Sequence, residues 1–397
     1  MTAVITGIGV VAPSGRSAAE HWDTVCAGES RVGPITLFDA SRYGTRTAGQ
    51  VEGDVKGDVD GRLLVQTDRW TWMGFDAAAQ ALADAALDLS TVDPYDLAVV
   101  QAASSGGNQF GQSELQKLWS KPERRVGAYQ SIAWFYAATT GQLSIRHQAK
   151  GPSNVLVSES AGGLDSLQHA ARLVSRGTPI VLTGGLEAPL CPYALACQLA
   201  SGRLSPADEY RPFDAAASGY VPGEGGAVLV VEDLEHALAR GAPVIYAEIA
   251  GWGSTHDGTH AGQPSSRQYG RAMRLALDRS ATRPEEVDVV IPDALGVPEY
   301  DRAESEAIRD VFGSVPVTTH KPLTGRMYQG GAALDAVTAV LALRHNTVPV
   351  STGVTQPAPG CELDFVPATT SSTVDKLLIG ARGFDGYNSS VVLRRAA

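Results

Sequence analysis

Short apolar runs alternate along the chain with longer stretches of helical periodicity. The first run, Val4 to Val10, predicts a buried strand, and a helix follows near Ala18 to Ala27. Asp68 to Leu87 is alanine-rich with helical spacing, which predicts a helix packed closely in the interior. Asp96 to Ala102 reads as a buried strand, and Ile132 to His147 as a helix carrying Trp134, Phe135 and Tyr136. Then come a strand at Asn154 to Val157, a helix at Ala161 to Ser175 and a strand at Ile180 to Thr183.

The second part repeats this texture. Strands are predicted near Ile245 to Ala250, Val287 to Ile291 and Val315 to Val317. Helices are predicted near Gln268 to Leu277, Arg302 to Val311 and Ala332 to Arg344. Two strand-like runs, Lys376 to Ala381 and Ser389 to Leu393, close the pattern. Strands alternating with helices favour an α/β fold with covered sheets. One short echo, Ser160-Ala-Gly-Gly-Leu-Asp165 against Gly330-Gly-Ala-Ala-Leu-Asp335, opens an apolar helix in each part and suggests duplication. A break near Gly241 divides the chain into expected halves 1–241 and 242–397.

Composition narrows the function classes. At 397 residues, with 44% apolar and 19% charged residues, the chain can build two sizeable cores. A net charge of −11 argues against nucleic acid and anionic membrane surfaces as partners. No apolar run reaches the length of a membrane span, and the start lacks the charge and length of a signal peptide. Cys26, Cys191, Cys197 and Cys361 are too scattered for a disulfide framework or zinc cluster, so a reduced, cytoplasmic setting is expected. No cofactor or metal is expected. His256 and His260 superficially suggest a metal pair, but Gly258 between them and the lack of a spaced carboxylate favour a solvated loop.

The most specific segment runs from Arg211 to Glu232. Gly219, Gly223, Gly225 and Gly226 fall within eight residues, which calls for unusual backbone angles or close chain approach ahead of a buried strand. Glu224, set between glycines, reads as a carboxylate accepting loop amides in preference to a general base. The segment resembles the β-ketoacyl synthases of the thiolase superfamily. That resemblance extends from Val4-Ile-Thr-Gly-Ile-Gly-Val-Val-Ala-Pro13 to Gly383-Phe-Asp-Gly-Tyr-Asn-Ser-Ser390, nearly the whole chain. It implies the thiolase fold, duplicated halves stacked as five layers (αβαβα).

The family condenses acyl units with a cysteine at a helix N-terminus, where backbone N–H groups lower its pKa, and with two histidines. Here the cysteine position falls at Ser160, within Val157-Ser-Glu-Ser-Ala-Gly-Gly-Leu-Asp-Ser166. The first histidine position falls at Leu295, within Ile291-Pro-Asp-Ala-Leu-Gly-Val297. The second falls at Arg326 in Lys321-Pro-Leu-Thr-Gly-Arg326, where the family's Lys321 is kept. An alkyl group donates no hydrogen bond, and a guanidinium is too basic to exchange protons near neutrality. A serine without a neighbouring base stays protonated. No catalytic residue is therefore assigned.

Within the family, Ala161-Gly-Gly-Leu-Asp165, Gly296-Val-Pro-Glu-Tyr-Asp301, Thr324-Gly-Arg-Met-Tyr328 and Trp134-Phe-Tyr136 resemble the chain length factor, or ketosynthase β subunit, of bacterial type II polyketide synthases. That subfamily usually carries glutamine where Ser160 stands. The resemblance implies an obligate heterodimer with a cysteine-bearing ketosynthase α subunit, traffic with an acyl carrier protein, and a shared substrate tunnel. Its length-setting positions fall at Asn108, Gly111 and Leu115, with a tunnel-end position at Tyr193. Shorter-product relatives tend to carry phenylalanine at the first and third, so a decaketide or longer aromatic product is expected. Packing of Leu115 in the core is the open alternative.

Two other functions compete: a malonyl decarboxylase or acyltransferase using Ser160, and a serine hydrolase. Ser158-Glu-Ser-Ala-Gly162 approximates a G-x-S-x-G elbow, but Ser158 replaces the first glycine and no triad histidine is recognisable. Trp119 with Lys117, Lys121, Arg124 and Arg125 forms a basic patch, suited to an acidic carrier protein or to a solvated helix end.

Overall fold

Two stacked sheets share one hydrogen-bonding pattern in the computed structural model, which describes residues 1–258 and 263–396. The eleven main strands are β1 (Ala3–Val11), β2 (Leu97–Ala102), β3 (Ser153–Leu156), β4 (Ile180–Glu187), β5 (Gly225–Asp233), β6 (Ala247–His256), β7 (Val289–Ile291), β8 (Pro316–Val317), β9 (Asp364–Phe365), β10 (Lys376–Arg382) and β11 (Tyr387–Arg394). Their spatial order is β9-β8-β7-β10-β11-β6-β1-β5-β4-β2-β3. Only Val4 and Ile5 register β1 against β6, so this junction is a corner between two sheets.

From β1 to β3 the pairings run antiparallel, antiparallel, parallel, parallel. From β6 to β8 the same order recurs through β11, β10 and β7, with β9 added in parallel.

The main helices are α1 (Ala18–Ala27), α2 (Arg69–Asp84), α3 (Asn108–Ser120), α4 (Ala138–Arg146), α5 (Ala161–Ser175), α6 (Pro192–Ala200), α7 (Ser266–Ser280), α8 (Pro298–Phe312) and α9 (Gln329–His345). Helices α2 and α4 cover the outer face of the first sheet, α7 and α8 that of the second, and α5 and α9 lie between the sheets. Five layers result, in the order helix, sheet, helix, sheet, helix. The alanines of α2 have a packing cause. A Cβ added at Gly7 or Gly9 of β1 would strike the carbonyls of Ala81 and Ala77, so strand and helix touch backbone to backbone.

The echoed glycines do similar work in the middle layer. A Cβ at Gly163 would meet the Gln329 carbonyl, and one at Gly330 the Gly225 carbonyl. Small residues thus let the N-termini of α5 and α9 converge. Almost every residue of α9 is buried, as expected of a helix enclosed on all sides.

One predicted helix is interrupted. Ile132 to His147 is not continuous: a short helix spans Gln130–Ala133, the chain unwinds through Trp134 to Ala137, and α4 begins at Ala138. The Trp134 carbonyl accepts the Gly107 N–H at 3.2 Å, a long-range bond that competes with helix continuation. Among the described residues no helix is long and apolar enough to cross a membrane.

Candidate functional site

A cavity of about 600 Å³ opens beside the N-terminus of α5. Its wall includes α6 and the β10–β11 turn together with four further groups: the β2–α3 turn, the strand-to-helix turn before α5, the β7–α8 loop, and the segment between Lys321 and α9. Each of the four is fixed by a specific set of bonds.

Glu187 at the end of β4 accepts the N–H groups of Ser104 at 2.8 Å and Ser105 at 3.2 Å, fixing the turn that starts α3. The side chain of Asp68 then accepts the Phe110 N–H at 2.6 Å, capping α3 from another helix because Gly107 has no side chain to do so. Burial raises the Glu187 carboxyl from 4.5 to about 7, despite those amide bonds. Burial likewise raises Asp68 to about 6.

The β7–α8 loop hangs from two buried acids of α8. Glu304 accepts the N–H groups of Asp293 and Ala294, both at 2.8 Å, and Asp301 accepts that of Gly296 at 2.9 Å. Burial holds Asp301 well above the usual carboxylate range. The glycine-rich segment secures the facing loop: Arg326 donates its N–H to Val221 at 2.8 Å and accepts that of Gly223 at 2.9 Å. A Cβ at Gly223 would meet the Thr324 carbonyl at 2.5 Å, which is why this fingerprint needs glycine.

At the centre is a buried ion-pair cluster. Arg326 Nη1 lies 3.2 Å from Asp293 Oδ2, and Nη2 lies 3.5 Å from Glu159 Oε2 and donates to the Arg382 carbonyl at 3.1 Å. Burial opposes the guanidinium charge, but Asp293 and Glu159 outweigh it and hold Arg326 above the ordinary arginine pKa. Burial raises Glu159, with Arg326 pulling the other way. Glu159 sits at φ +51, a left-handed conformation that strains a non-glycine residue and marks a sharp turn into α5.

The predicted site residues divide into two sets. Asn108, Tyr193, Leu295 and Arg326 line the cavity. Ser160 does not: it is 1% exposed at the N-terminus of α5, and its Oγ donates to Glu159 Oε1 at 3.2 Å. Lys321 lies behind the wall, where its Nζ pairs with Asp335 and donates to the Pro292 carbonyl at 3.0 Å. Gly111 is buried against Trp134, whose indole would be 2.5 Å from an added Cβ. The space left by glycine is therefore filled by tryptophan. Leu115 is 39% exposed on the outer side of α3, neither in this cavity nor in the core.

Several lining residues were not among the site residues expected from the sequence, although Trp134 and Tyr328 lie in motifs singled out there. Trp134, Arg203, Tyr220, Tyr328 and Phe384 join Arg326 around the cavity. The Arg203 guanidinium stacks 3.3 Å from the Phe384 ring centre. Gln112, one turn along α3 from Asn108, accepts the Tyr193 N–H at 2.6 Å and so positions α6. Their partners lie far apart in sequence, which no local pattern reveals.

Among the described residues no histidine lines the cavity, and they include no metal-binding cluster. His256 packs edge-on to Tyr387, with ring centres 5.0 Å apart, and His260 lies outside the described residues. Glu224 accepts the Val51 N–H at 3.0 Å and pairs with Arg69 at 2.6 Å. The site can enclose and orient a ligand, but its described lining residues offer no neutral imidazole for proton transfer near pH 7.

Comparison with known proteins adds a consistent set of relatives. Residues 2–237 match the β-ketoacyl synthase N-terminal domain family, and residues 246–355 the corresponding C-terminal domain family. The chain is 50% identical to the tetracenomycin polyketide synthase ketoacyl synthase beta subunit of Streptomyces glaucescens, over 99% of this chain and 98% of that protein. It is 48% identical to the actinorhodin polyketide putative beta-ketoacyl synthase 2 of Streptomyces coelicolor, over 100% and 99% of the two. Among solved structures, the ishigamide ketosynthase/chain length factor superposes with a TM-score of 0.94 at 28% identity, covering 100% of this chain and 99% of that one. A chain of AntDE:AntF, a type II polyketide acyl-carrier protein in complex with its ketosynthase bound to the hexaketide, gives 0.89 at 26%, with the same coverage.

Proposed function

The chain belongs to the β-ketoacyl synthase family and has its thiolase fold, and we propose that it is a non-catalytic, chain-length-determining subunit of a type II polyketide ketosynthase. The observation that carries this reading is Arg326 locked between Asp293 and Glu159 where the family places a histidine. Leu295 takes the other histidine position and Ser160 the cysteine position, so the cavity wall persists without condensing chemistry. We propose the junction of the two halves near Gly241.

Pairing with a cysteine-bearing ketosynthase subunit is supported by the β3 edge. This strand bonds only β2 among the described strands. Nearby Val126, Ile132, Phe135 and Tyr136 are exposed, and Trp134 and Val157 are both exposed and cavity-lining. An open strand edge beside an apolar patch favours a large obligate interface. The cavity would then be one wall of a tunnel completed by the partner. Asn108 and Tyr193 face the growing poly-β-ketone in this reading, while Gly111 acts through Trp134. A decaketide-class or longer aromatic product is proposed, delivered on an acyl carrier protein.

Co-expression with a homologous ketosynthase subunit that keeps its cysteine and both histidines tests the pairing. A stable complex that condenses malonyl units, with this chain inert alone, is expected. Condensation by this chain alone refutes the proposal. The Ser160–Glu159 contact gives an acyltransferase reading its single support, and burial of Ser160 weighs against it.

A further inference from the structure

Helix α5 lies between the two sheets and is buried almost throughout. Along it, only Asp165, His169, Arg172 and the final Ser175 escape burial, and the exposed Arg176 follows directly. Asp165, His169, Arg172 and Arg176 are spaced four, three and four apart, so they form one stripe on one helical face. A central helix showing solvent a single charged stripe is a place to look for a partner.

The stripe is continuous with the open β3 edge. His169 Nε2 is 3.1 Å from the Asn154 side-chain oxygen, and Asn154 lies within β3. On its other flank it meets β6 through Trp252. The guanidiniums of Arg172 and Arg279 reach the same indole, at 5.9 and 5.8 Å from its ring. Arg279 also donates to the Trp252 carbonyl.

Charge here is unbalanced. Burial, Arg279 and Arg176 all depress the Arg172 pKa, and only Asp165 supports it. Asp165 is already engaged by Ser158 at 2.6 Å, Ser254 at 2.9 Å and Gln168 at 3.3 Å. Two arginines share one indole and the exposed Arg176 adds a third positive charge nearby, and with one occupied carboxylate among them they leave a site that favours an incoming anion.

We infer that the Arg172–Arg176–Arg279 cluster receives acidic side chains of the ketosynthase subunit and thereby selects that subunit over a second copy of this chain. The inference rests on the heterodimer reading above and adds what makes the pairing selective. Two copies paired about a two-fold axis through β3 would place that axis near Asn154 and Val155, beside the stripe. Each arginine cluster would then approach its own copy, which like-charge repulsion disfavours. Carboxylates at the matching positions of a different subunit convert that repulsion into attraction and a faster encounter.

The test measures the Kd of the complex with the cysteine-bearing subunit across sodium chloride concentrations, for wild type, Arg172→Gln/Arg176→Gln and Arg172→Glu/Arg176→Glu, with melting curves as folding controls. Wild-type binding should weaken with salt. The glutamate pair should raise Kd by about tenfold or more at low salt. The glutamine pair should raise it less, flatten the salt dependence, and increase self-association of the isolated chain. If the glutamate variant does not fold, the glutamine variant and the wild-type salt slope decide. Wild-type complex formation with no salt dependence, or unchanged Kd in the folded variants, overturns this inference and leaves the heterodimer reading intact. Loss of self-association in the glutamine pair, with heteromeric Kd unchanged, assigns the surface to a second copy and also overturns it. Failure of the wild-type chain to pair at all overturns the heterodimer reading, and this inference with it.

Discussion

Arg326 and Asp293, 33 positions apart in sequence, meet at 3.2 Å with both side chains almost fully buried. A buried ion pair is costly to assemble but far costlier to break, because the survivor keeps its charge without a partner. Arg326→Met leaves Asp293 and Glu159 uncompensated and should cost about 3–5 kcal/mol. Thermal and denaturant unfolding measure this. Arg326→Met/Asp293→Asn should recover part of the loss, and additive losses in the double variant would show that the two residues do not act as a pair.

That pair also separates what could be read in the sequence from what could not. Ser160, Leu295 and Arg326 read as substitutions in the sequence because each sits in a short motif that otherwise resembles the family's. Their replacement network was not legible there. Arg326 reaches Asp293 and Glu159 only when two loops and a helix N-terminus converge. Strand and helix alternation was legible for the same local reason, through period and glycine punctuation. The predicted helix from Ile132 failed at Trp134, where a tertiary bond to Gly107 outweighs local periodicity. Gly111 was legible as an absence of volume, but the indole filling that volume lies 23 residues away.

Glu187 should impose a pH dependence on stability. Its folded pKa is raised from 4.5 to about 7, so the native state holds this proton more tightly than the unfolded chain. Its stabilising contribution is full below the unfolded pKa and is lost as pH rises through the folded one. Wild-type stability should therefore carry a falling component from about pH 4.5 to 7. Glu187→Gln should remove it. Chemical denaturation across that range reads the slope, and equal slopes in both proteins would refute the assignment.

Convergence of α5 and α9 depends on Gly163, where any Cβ meets the Gln329 backbone. Gly163→Ala should destabilise by about 1–3 kcal/mol through forced separation of the two helices. A melting temperature equal to wild type would mean the middle layer tolerates that separation.

Ser160 should be chemically silent. It is buried, and its hydroxyl points to a carboxylate engaged by Arg326. A fluorophosphonate probe should leave the folded chain unlabelled under conditions that label a serine hydrolase. Stoichiometric labelling lost in Ser160→Ala would instead support the acyltransferase or hydrolase reading.

The central claim is that this chain sets product length by shaping a cavity. Asn108 lines that cavity from the first turn of α3, where a larger side chain projects into the enclosed space. The decisive measurement is the product length distribution, by mass spectrometry, of the complex reconstituted with wild type or with Asn108→Phe. The expected result is continued condensation with products shorter by at least one ketide unit. Unchanged length in an active, intact complex would contradict the claim.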